Sequence, residues 1–274
     1  MVEIDSETSV VLMMKTKYFT YMLCLLMAFS MTASAGTLSV GGSRFEAEII
    51  PGDHITHEIT VNIAEDDEPV DVKAGVFGYG LSLEGSKQPL GSEDDLSPYS
   101  AADFLEVTPT KANLKPGEPT KFVLEGEVPV NVGTGGRYAL VKIETDAQGS
   151  GKVGVITAIV IPVRLTISGS DIIETGEITD LKVSDEKVSA IFENTGNHHY
   201  LASAEAVIKD KGGDVVANYS IPLQIDPLIP TTSRLFDILL DQEMELPTGS
   251  YTVEVSVIHE DGTVLDTEET TFEV

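Results

Sequence analysis

The chain has 274 residues and a formal net charge of −28 at pH 7, because 45 Asp and Glu outnumber 17 Lys and Arg. Such an acidic chain has no basic stripe that could hold phosphates, so we expect it to bind neither nucleic acid nor an anionic membrane surface. A solvated acidic surface instead favours solubility and cationic partners.

Residues 1–35 have the features of a cleaved signal peptide. Lys15 and Lys17 precede an apolar run at 18–31, and Ala33-Ser34-Ala35 has the small-x-small form that signal peptidase cuts. A retained membrane anchor is the weaker alternative, because the run is short for a bilayer span. We therefore predict a mature chain that begins at Gly36, is secreted or lies at the cell surface (in the periplasm if the envelope has one), and is not an integral membrane protein.

The only cysteine, Cys24, lies in this apolar run. The mature chain would then have no disulfide and no cysteine metal ligand. Each domain must be held together by its own hydrophobic core, for which about 120 residues per domain are enough.

Short alternating segments with turn residues between them predict a first immunoglobulin-like β-sandwich at 36–168. Pro and Gly mark its turns, as in Pro51-Gly52-Asp53 and Gly78-Tyr79-Gly80. The longest irregular segment, at 83–103, is rich in Ser, Gly, Pro and acidic residues, and a loop of this length is usually functional or disordered. The predicted strands before residue 150 are 45–50, 54–63, 70–77, 104–108, 120–128 and 137–145.

The segment Lys152–Ile167 is predicted to be the closing strand of this sandwich. Its alternate residues are apolar and mostly β-branched, and Pro162 would interrupt a helix. At a sheet edge, such a strand could accept or donate a partner strand, and Pro162 suits an edge because it lacks an N–H donor. The alternative, a strand paired on both sides that only builds core, stays open. The candidate partner-binding residues on this strand are Val155, Ile159 and Ile161.

A second immunoglobulin-like sandwich is predicted at 169–274, so the expected fold is all-β with two consecutive sandwiches. Its seven predicted strands are separated by marked turns, of which Asp261-Gly262 has the residues of a short hairpin. The predicted strands are 177–183, 188–193, 202–209, 215–225, 234–240, 250–258 and 263–274.

The sequence contains no recognisable catalytic motif. It has neither a G-x-S-x-G elbow nor an H-E-x-x-H helix, and His54 and His57 would point to opposite faces of a strand. His198-His199 is interpreted as part of a polar turn between strands, where a metal-binding role is the weaker alternative. We therefore expect a protein that is not an enzyme. An acidic hydrolase stays open as a third hypothesis, since paired carboxylates cannot be chosen among so many acids without geometry.

Acidic loops are the remaining candidate sites. Calcium is the one cofactor that they could bind, because it prefers carboxylate and carbonyl oxygens from loops. The candidate calcium residues are Asp66, Asp67 and Glu68, although they match no EF-hand pattern and could equally be a solvated loop. Apart from calcium we expect no cofactor. Glu93, Asp94 and Asp95, in the long irregular segment, are candidate partner-binding residues.

Four stretches of the first domain carry a family resemblance. They are PGDHITHEITVNI at 51–63, GVFGYG at 75–80, the segment 97–130 that begins SPYSAADF, and GGRYALVKIET at 135–145. In this order they resemble the N-terminal domain of the WxL-interacting proteins of Gram-positive cell surfaces, and more loosely the PapD-like pilus chaperones. The resemblance implies an exported, non-enzymatic envelope protein of two domains.

Two features of the chain depart from these families. WxL-interacting proteins carry a C-terminal membrane helix with a basic tail, whereas a strand is predicted here at 271–274, so we do not expect anchoring by that route. Pilus chaperones hold a subunit's terminal carboxylate with a basic pair in the cleft between domains. The resemblance makes Arg164 one candidate for that pair, but its mate is not evident in the sequence.

The leading hypothesis is a cell-envelope binding or scaffold protein that contacts a cell-wall polymer or a protein partner through the loops and strand edge of its first domain. The alternative is an extracytoplasmic, pilus-chaperone-like protein that binds subunits by β-strand addition.

Overall fold

The computed structural model describes residues 38–146, 156–241 and 246–274. Within these ranges every regular element is a β-strand, apart from one short 3₁₀ helix at Ala102–Phe104. The predicted all-β class is confirmed. The predicted signal peptide and Val155 lie outside the described residues. No helix in the described part of the chain is both long enough and apolar enough to span a membrane.

In the part of the chain that the structure describes, ten strands form the first sandwich. One sheet has the order β1-β3-β8-β6, and the other has the order β2-β10-β9-β4-β5, with β7 also paired to β4. The strands are β1 (Leu38–Gly41), β2 (Phe45–Ile49), β3 (His54–Ile63), β4 (Val70–Leu81), β5 (Lys87–Leu90), β6 (Leu105–Thr108), β7 (Lys111–Leu114), β8 (Thr120–Glu127), β9 (Gly136–Thr145) and β10 (Ala158–Ile167).

The core of this sandwich follows the two-residue repeat of its strands. Successive side chains of a strand point to opposite faces of its sheet, so alternate residues enter the space between the sheets. From β10 these are Ile161, Val163, Leu165 and Ile167, which are at most 4% exposed. Phe122 of β8 faces them from the opposite sheet and is fully buried. The alternation read from the sequence therefore identifies the side of β10 that builds the core.

Seven strands of the described chain form the second sandwich, as the spacing of its turns predicts. Its sheets have the orders β11-β12-β15 and β14-β13-β16-β17. The β16–β17 hairpin turns at Gly262, whose φ of 90° matches the backbone expected for the Asp-Gly pair. The strands are β11 (Gly176–Val183), β12 (Lys187–Asn194), β13 (Ala202–Asp210), β14 (Val215–Ile221), β15 (Ser233–Leu239), β16 (Ser250–His259) and β17 (Val264–Glu273).

The two sandwiches belong to a single compact unit. A small cluster between them contains Tyr79, Tyr138 and Leu140 from the first sandwich and Ile229 from the second, and all four are at most 5% exposed. The predicted domain limits, 36–168 and 169–274, stay a prediction.

The prediction of a turn at Gly78-Tyr79-Gly80 was wrong. Strand β4 runs through these residues to Leu81 and pairs there with β5, a strand inside the segment predicted to be irregular. The glycines serve close packing, because a Cβ at Gly80 would lie 2.7 Å from the carbonyl oxygen of Gln88. A Cβ at Gly78 would lie 2.2 Å from Cγ of Asp95. Glycine here marks close approach, which a sequence cannot distinguish from a turn.

Replacing Gly80 by alanine should therefore destabilise the protein. The added Cβ would collide with a backbone oxygen that strand pairing holds in place, and overpacking of this kind costs about 2 kcal/mol. Gly41→Ala is the matched control, since its nearest neighbour would be 3.9 Å away. Denaturant unfolding of both variants measures the difference, and equal stabilities would contradict the packing argument.

Candidate partner-binding edge and the junction between the sandwiches

Strand β10 is paired on both sides along only part of its length. It pairs with β9 from Ala158 to Thr166, but with β2 only from Val163 to Ile167. Among the described residues, no strand pairs with the segment 158–162 on the side opposite β9. We call this segment the open edge.

The hydrogen bonds that flank β10 show which backbone groups the open edge presents. In an antiparallel pair, alternate residues direct both backbone groups toward the neighbouring strand. Thr145 N–H donates to the carbonyl of Thr157 at 2.9 Å, so odd-numbered residues face β9. Ser168 N–H donates to the carbonyl of Ile49 at 2.8 Å, so even-numbered residues face the β2 side. Ala158 and Val160 therefore direct their N–H and C=O groups outward.

The apolar side chains of β10 have different surroundings at the open edge. Ile161 is fully buried in the core of the first sandwich, and Ile159 is half-buried at its margin. Val160 lies on the other face, against the cluster formed by Tyr79, Tyr138, Leu140 and Ile229. The partner-binding role of Ile159 and Ile161 stays a prediction. A side chain that is fully buried in the core, such as Ile161, cannot itself contact a partner while the sandwich is folded.

Arg164 is held in a salt bridge and does not extend into solvent. Its side chain is 4% exposed, and its Nε and Nη2 both donate to Oε1 of Glu46, with the Nε bond at 2.6 Å. This pair joins β10 to β2 where the two strands run together. Binding a partner's carboxylate would require Arg164 to exchange Glu46 for it, and such a role for Arg164 stays a prediction.

The three acidic residues of the long segment are not equivalent. Glu93 and Asp94 are exposed, whereas Asp95 is partly buried and accepts a hydrogen bond from the Ser100 hydroxyl. Their partner-binding role stays a prediction.

The candidate calcium residues lie in the turn after β3. Asp66 and Glu68 are exposed, and Asp67 Oδ2 accepts a hydrogen bond from the N–H of Ala64. Across the described parts of the chain, no group of three His, Cys, Asp or Glu side chains is placed to hold a metal ion. Calcium binding at Asp66, Asp67 and Glu68 remains an untested prediction.

The residues that sequence reasoning missed are His198 and His199, which it placed in a polar turn. His199 Nδ1 lies 3.2 Å from the Tyr138 hydroxyl, and His198 Nε2 lies 3.0 Å from Thr166 Oγ1. Both histidines thus hydrogen-bond across the junction to the first sandwich. No local sequence signal identifies this role, because Tyr138 and Thr166 come from distant strands.

A carboxylate on the second sandwich links two of the histidines. Glu174 Oε1 lies 2.8 Å from His198 Nδ1, and Glu174 Oε2 lies 3.2 Å from His259 Nε2. The other ring nitrogen of His259 lies 2.9 Å from Asp261 Oδ1. Each of these two imidazoles therefore has a carboxylate beside it.

Burial shifts the pKa values of two side chains at the junction, His199 and Tyr138. Burial first, and then the neighbouring charges of His198 and Arg164, together lower the pKa of His199 to about 3. Burial also raises the pKa of Tyr138 well above its ordinary value. At neutral pH the Tyr138–His199 contact is therefore a hydrogen bond between two uncharged groups.

Acid should weaken the fold through His199. Because its folded pKa lies below the unfolded value of 6.5, the unfolded chain gains a proton first, and stability falls as the pH drops from about 6.5 toward 3. We expect His199→Gln to reduce the loss between pH 7 and pH 4 by about 3 kcal/mol, measured by urea unfolding. His54→Gln, at an exposed histidine, is the control. Identical pH profiles for wild type and His199→Gln would contradict this assignment.

Comparison with known proteins assigns no family. No family model matches the chain, and no curated protein matches it significantly. Among solved structures, it is similar to the class 5 fimbriae chaperone CfaA, at 12% identity and a TM-score of 0.43 over 86% of this chain and 98% of that one.

Two further structures show a similar likeness. One is the E. coli chaperone DraB, at 14% identity and a TM-score of 0.40 over 87% of this chain and 98% of that one. The other is a Salmonella enterica structure of the SafA pilin with the SafB chaperone, at 10% identity and a TM-score of 0.39 over 88% of this chain and 99% of that one. At these values the likeness assigns no function to this chain. These three structures contain chaperones, the kind of protein named in the looser of the two resemblances, and a family 123 glycoside hydrolase from Clostridium perfringens is among the other matches. The WxL-interacting resemblance stays a prediction.

Proposed function

We propose that the protein is a non-enzymatic, extracytoplasmic binding protein that takes up an extended segment of a protein partner by β-strand addition at the open edge. The observation that carries this proposal is that Ala158 and Val160 direct backbone donors and acceptors away from β9, where no described strand receives them. A partner strand would lie on the side of β10 that β2 occupies further along.

The physical basis is the cost of leaving an extended backbone unpaired. A row of free N–H and C=O groups on a sheet edge is a template for another strand. Main-chain hydrogen bonds then supply affinity, and pockets for alternate side chains supply specificity. Pro162 sets one limit of this template, because it has no N–H and β2 begins to pair at the next residue.

The edge is supported by a rigid platform. Residues Tyr138 to Val141 of β9 are at most 2% exposed, because core lies on both of their faces. The Arg164–Glu46 pair connects β2 to the adjoining part of β10. An incoming strand would therefore bind to a backbone that is already ordered, which reduces the entropy lost on association.

Strand addition now has better support than the loop-and-polymer hypothesis. The geometry of the described loops indicates no contact with a polymer, whereas the open edge presents backbone donors and acceptors to which a partner strand could bind. The partner we propose is a protein whose own sheet lacks a strand, such as a subunit of an envelope assembly, and the binding protein would act as its chaperone.

The free protein should show the open edge in amide hydrogen exchange. We expect the amides of Ala158 and Val160 to exchange rapidly, while those of Ile159 and Ile161, which face β9, are protected by at least tenfold more. Exchange followed by NMR measures each amide separately. Equal protection of all four would show that another segment covers the edge, and strand addition there would be wrong.

Val160→Pro tests binding while sparing the fold. It removes an N–H that faces away from β9, so the β9–β10 ladder stays intact, as it does at Pro162. We expect binding of the envelope partner to fall at least tenfold with little change in melting temperature. Val160→Ala, which shortens the side chain but keeps the N–H, should bind like the wild type.

The partner for this test is the protein that co-purifies with the wild-type chain from its native envelope, identified by mass spectrometry. Its binding to the purified variants is then measured by surface plasmon resonance. Undiminished binding by a folded Val160→Pro variant would contradict strand addition at this position.

A further inference from the structure

A buried arginine at the start of β9 has no acidic partner. Arg137 is 6% exposed, and its Nη1 donates to the carbonyl oxygens of Thr134 at 3.0 Å and of Gly136 at 2.5 Å. The arginine salt bridges of the described chain are those of Arg44 and Arg164 with Glu46. Carbonyl oxygens carry only partial charge, and a buried charge is normally paired with an opposite one. The surroundings of Arg137 therefore lack a negative charge.

Two nitrogens of this guanidinium group remain available to a ligand. Within the described chain, Nε and Nη2 of Arg137 have no hydrogen-bond partner, since its printed bonds all come from Nη1. Neither of these two atoms is completely buried, so a small anion can reach both. The Nε–H and one Nη2–H lie in one plane and point the same way, which matches two oxygens of one anion. A single ligand can therefore accept from both nitrogens.

The glycine-rich loop before β9 has further donors next to this pair of nitrogens. The backbone N–H groups of Gly133 and Thr134 have no partner in the described chain, and both residues are exposed. A Cβ at Gly133 would lie 2.6 Å from Nη2 of Arg137, so ordinary bond lengths place the Gly133 nitrogen within about 5 Å of Nη2. Gly133 and Gly135, on either side of Thr134, have φ values of 87° and 80°. Such alternating backbone conformations occur in anion-binding loops.

The charge of Arg137 and its support define what the site can bind. Burial lowers the pKa of Arg137, but an arginine keeps its proton in proteins, so the site carries a full positive charge. The Tyr99 ring supports the guanidinium group, whose Cζ lies 5.6 Å from the ring centroid. The acidic chain as a whole repels anions, so the site suits one isolated anionic group and not a polyanion.

We propose that Arg137 and the loop 131–136 bind a single tetrahedral oxyanion, namely a phosphate or sulfate group. Nε and Nη2 of Arg137 donate to two of its oxygens, and the N–H groups of Gly133 and Thr134 donate to the others. A carboxylate has only two oxygens, which the arginine alone would occupy, so the loop donors favour a tetrahedral ion. The site is independent of strand addition, because Arg137 aligns with Leu165 in the part of β10 that β2 covers.

The test is an NMR titration of the full chain with phosphate, sulfate, methyl sulfate and acetate at constant ionic strength. We expect phosphate and sulfate to bind about tenfold more tightly than acetate and to shift the amides of Gly133 and Thr134 and the Nε–H of Arg137. Methyl sulfate carries the same single charge as acetate and should also bind more tightly than acetate. If it binds as tightly as sulfate, the site takes an ester, and if it binds more weakly than sulfate, the site takes the free ion.

Two results of this titration would overturn the proposal. One is the absence of any saturable shift at residues 131–137 with phosphate and sulfate. The other is equal binding of methyl sulfate and acetate, which would show that the site responds to charge and not to a tetrahedral group.

Two pairs of variants locate the site. Arg137→Gln should weaken sulfate binding by about tenfold or more, whereas Arg44→Gln removes the same charge from an exposed residue and should bind like the wild type. Gly133→Ala should also weaken binding, because its Cβ would collide with Nη2 of Arg137. Gly213→Ala is its matched control, since Gly213 has a φ of 88° and a Cβ there would have no neighbour within 4 Å.

The glycine pair keeps the proposal testable even if Arg137→Gln does not fold. Undiminished sulfate binding by a folded Gly133→Ala variant would contradict the proposal. An equal loss of binding in Arg44→Gln and Arg137→Gln would contradict it as well, because the effect would then come from the overall charge. Failure of this site would leave the Val160→Pro result unaffected.

Discussion

The burial of one sheet on both of its faces is the constraint on which the rest of the structure depends. Strands β9 and β10 direct alternate residues into the core of the first sandwich, and the residues between them face the second sandwich. Tyr138 and Leu140 are consequently as buried as Val141. A strand buried on both faces cannot slip in register without exposing one apolar set, so β9 is a fixed reference for its neighbours.

This arrangement explains why the open edge can exist in a stable protein. The edge belongs to β10, whose other side is paired with β9 along nearly its whole length. Water can therefore hydrate the free backbone groups of the open edge, while pairing with β9 keeps the strand ordered. An unpaired edge is normally protected, since it invites aggregation. Here Pro162 removes one donor and β2 covers the remainder, so the exposed template is short.

The junction between the sandwiches combines apolar packing with polar contacts. Ile229 packs with Tyr79 and Tyr138, while His198 and His199 form hydrogen bonds to Thr166 and Tyr138. Such groups are satisfied only when the two sandwiches are correctly placed, because a buried imidazole without its partner is costly. The polar contacts thus favour one arrangement of the sandwiches.

Alternation and turn chemistry in the sequence determined that the described chain is all-β, that its later half contains seven strands, and that the odd-numbered residues of β10 build a core. These are local properties, since a strand's period and an Asp-Gly hairpin depend on residues close in the chain. Only the tertiary structure decided that Gly78 and Gly80 lie within a strand, that Arg164 is bound to Glu46, and that β2 stops short of the open edge. It also placed His198 and His199 at the junction and Asp95 against Gly78. Each of these depends on which distant segments meet, and long-range pairing leaves no periodic signal in the residues that take part in it.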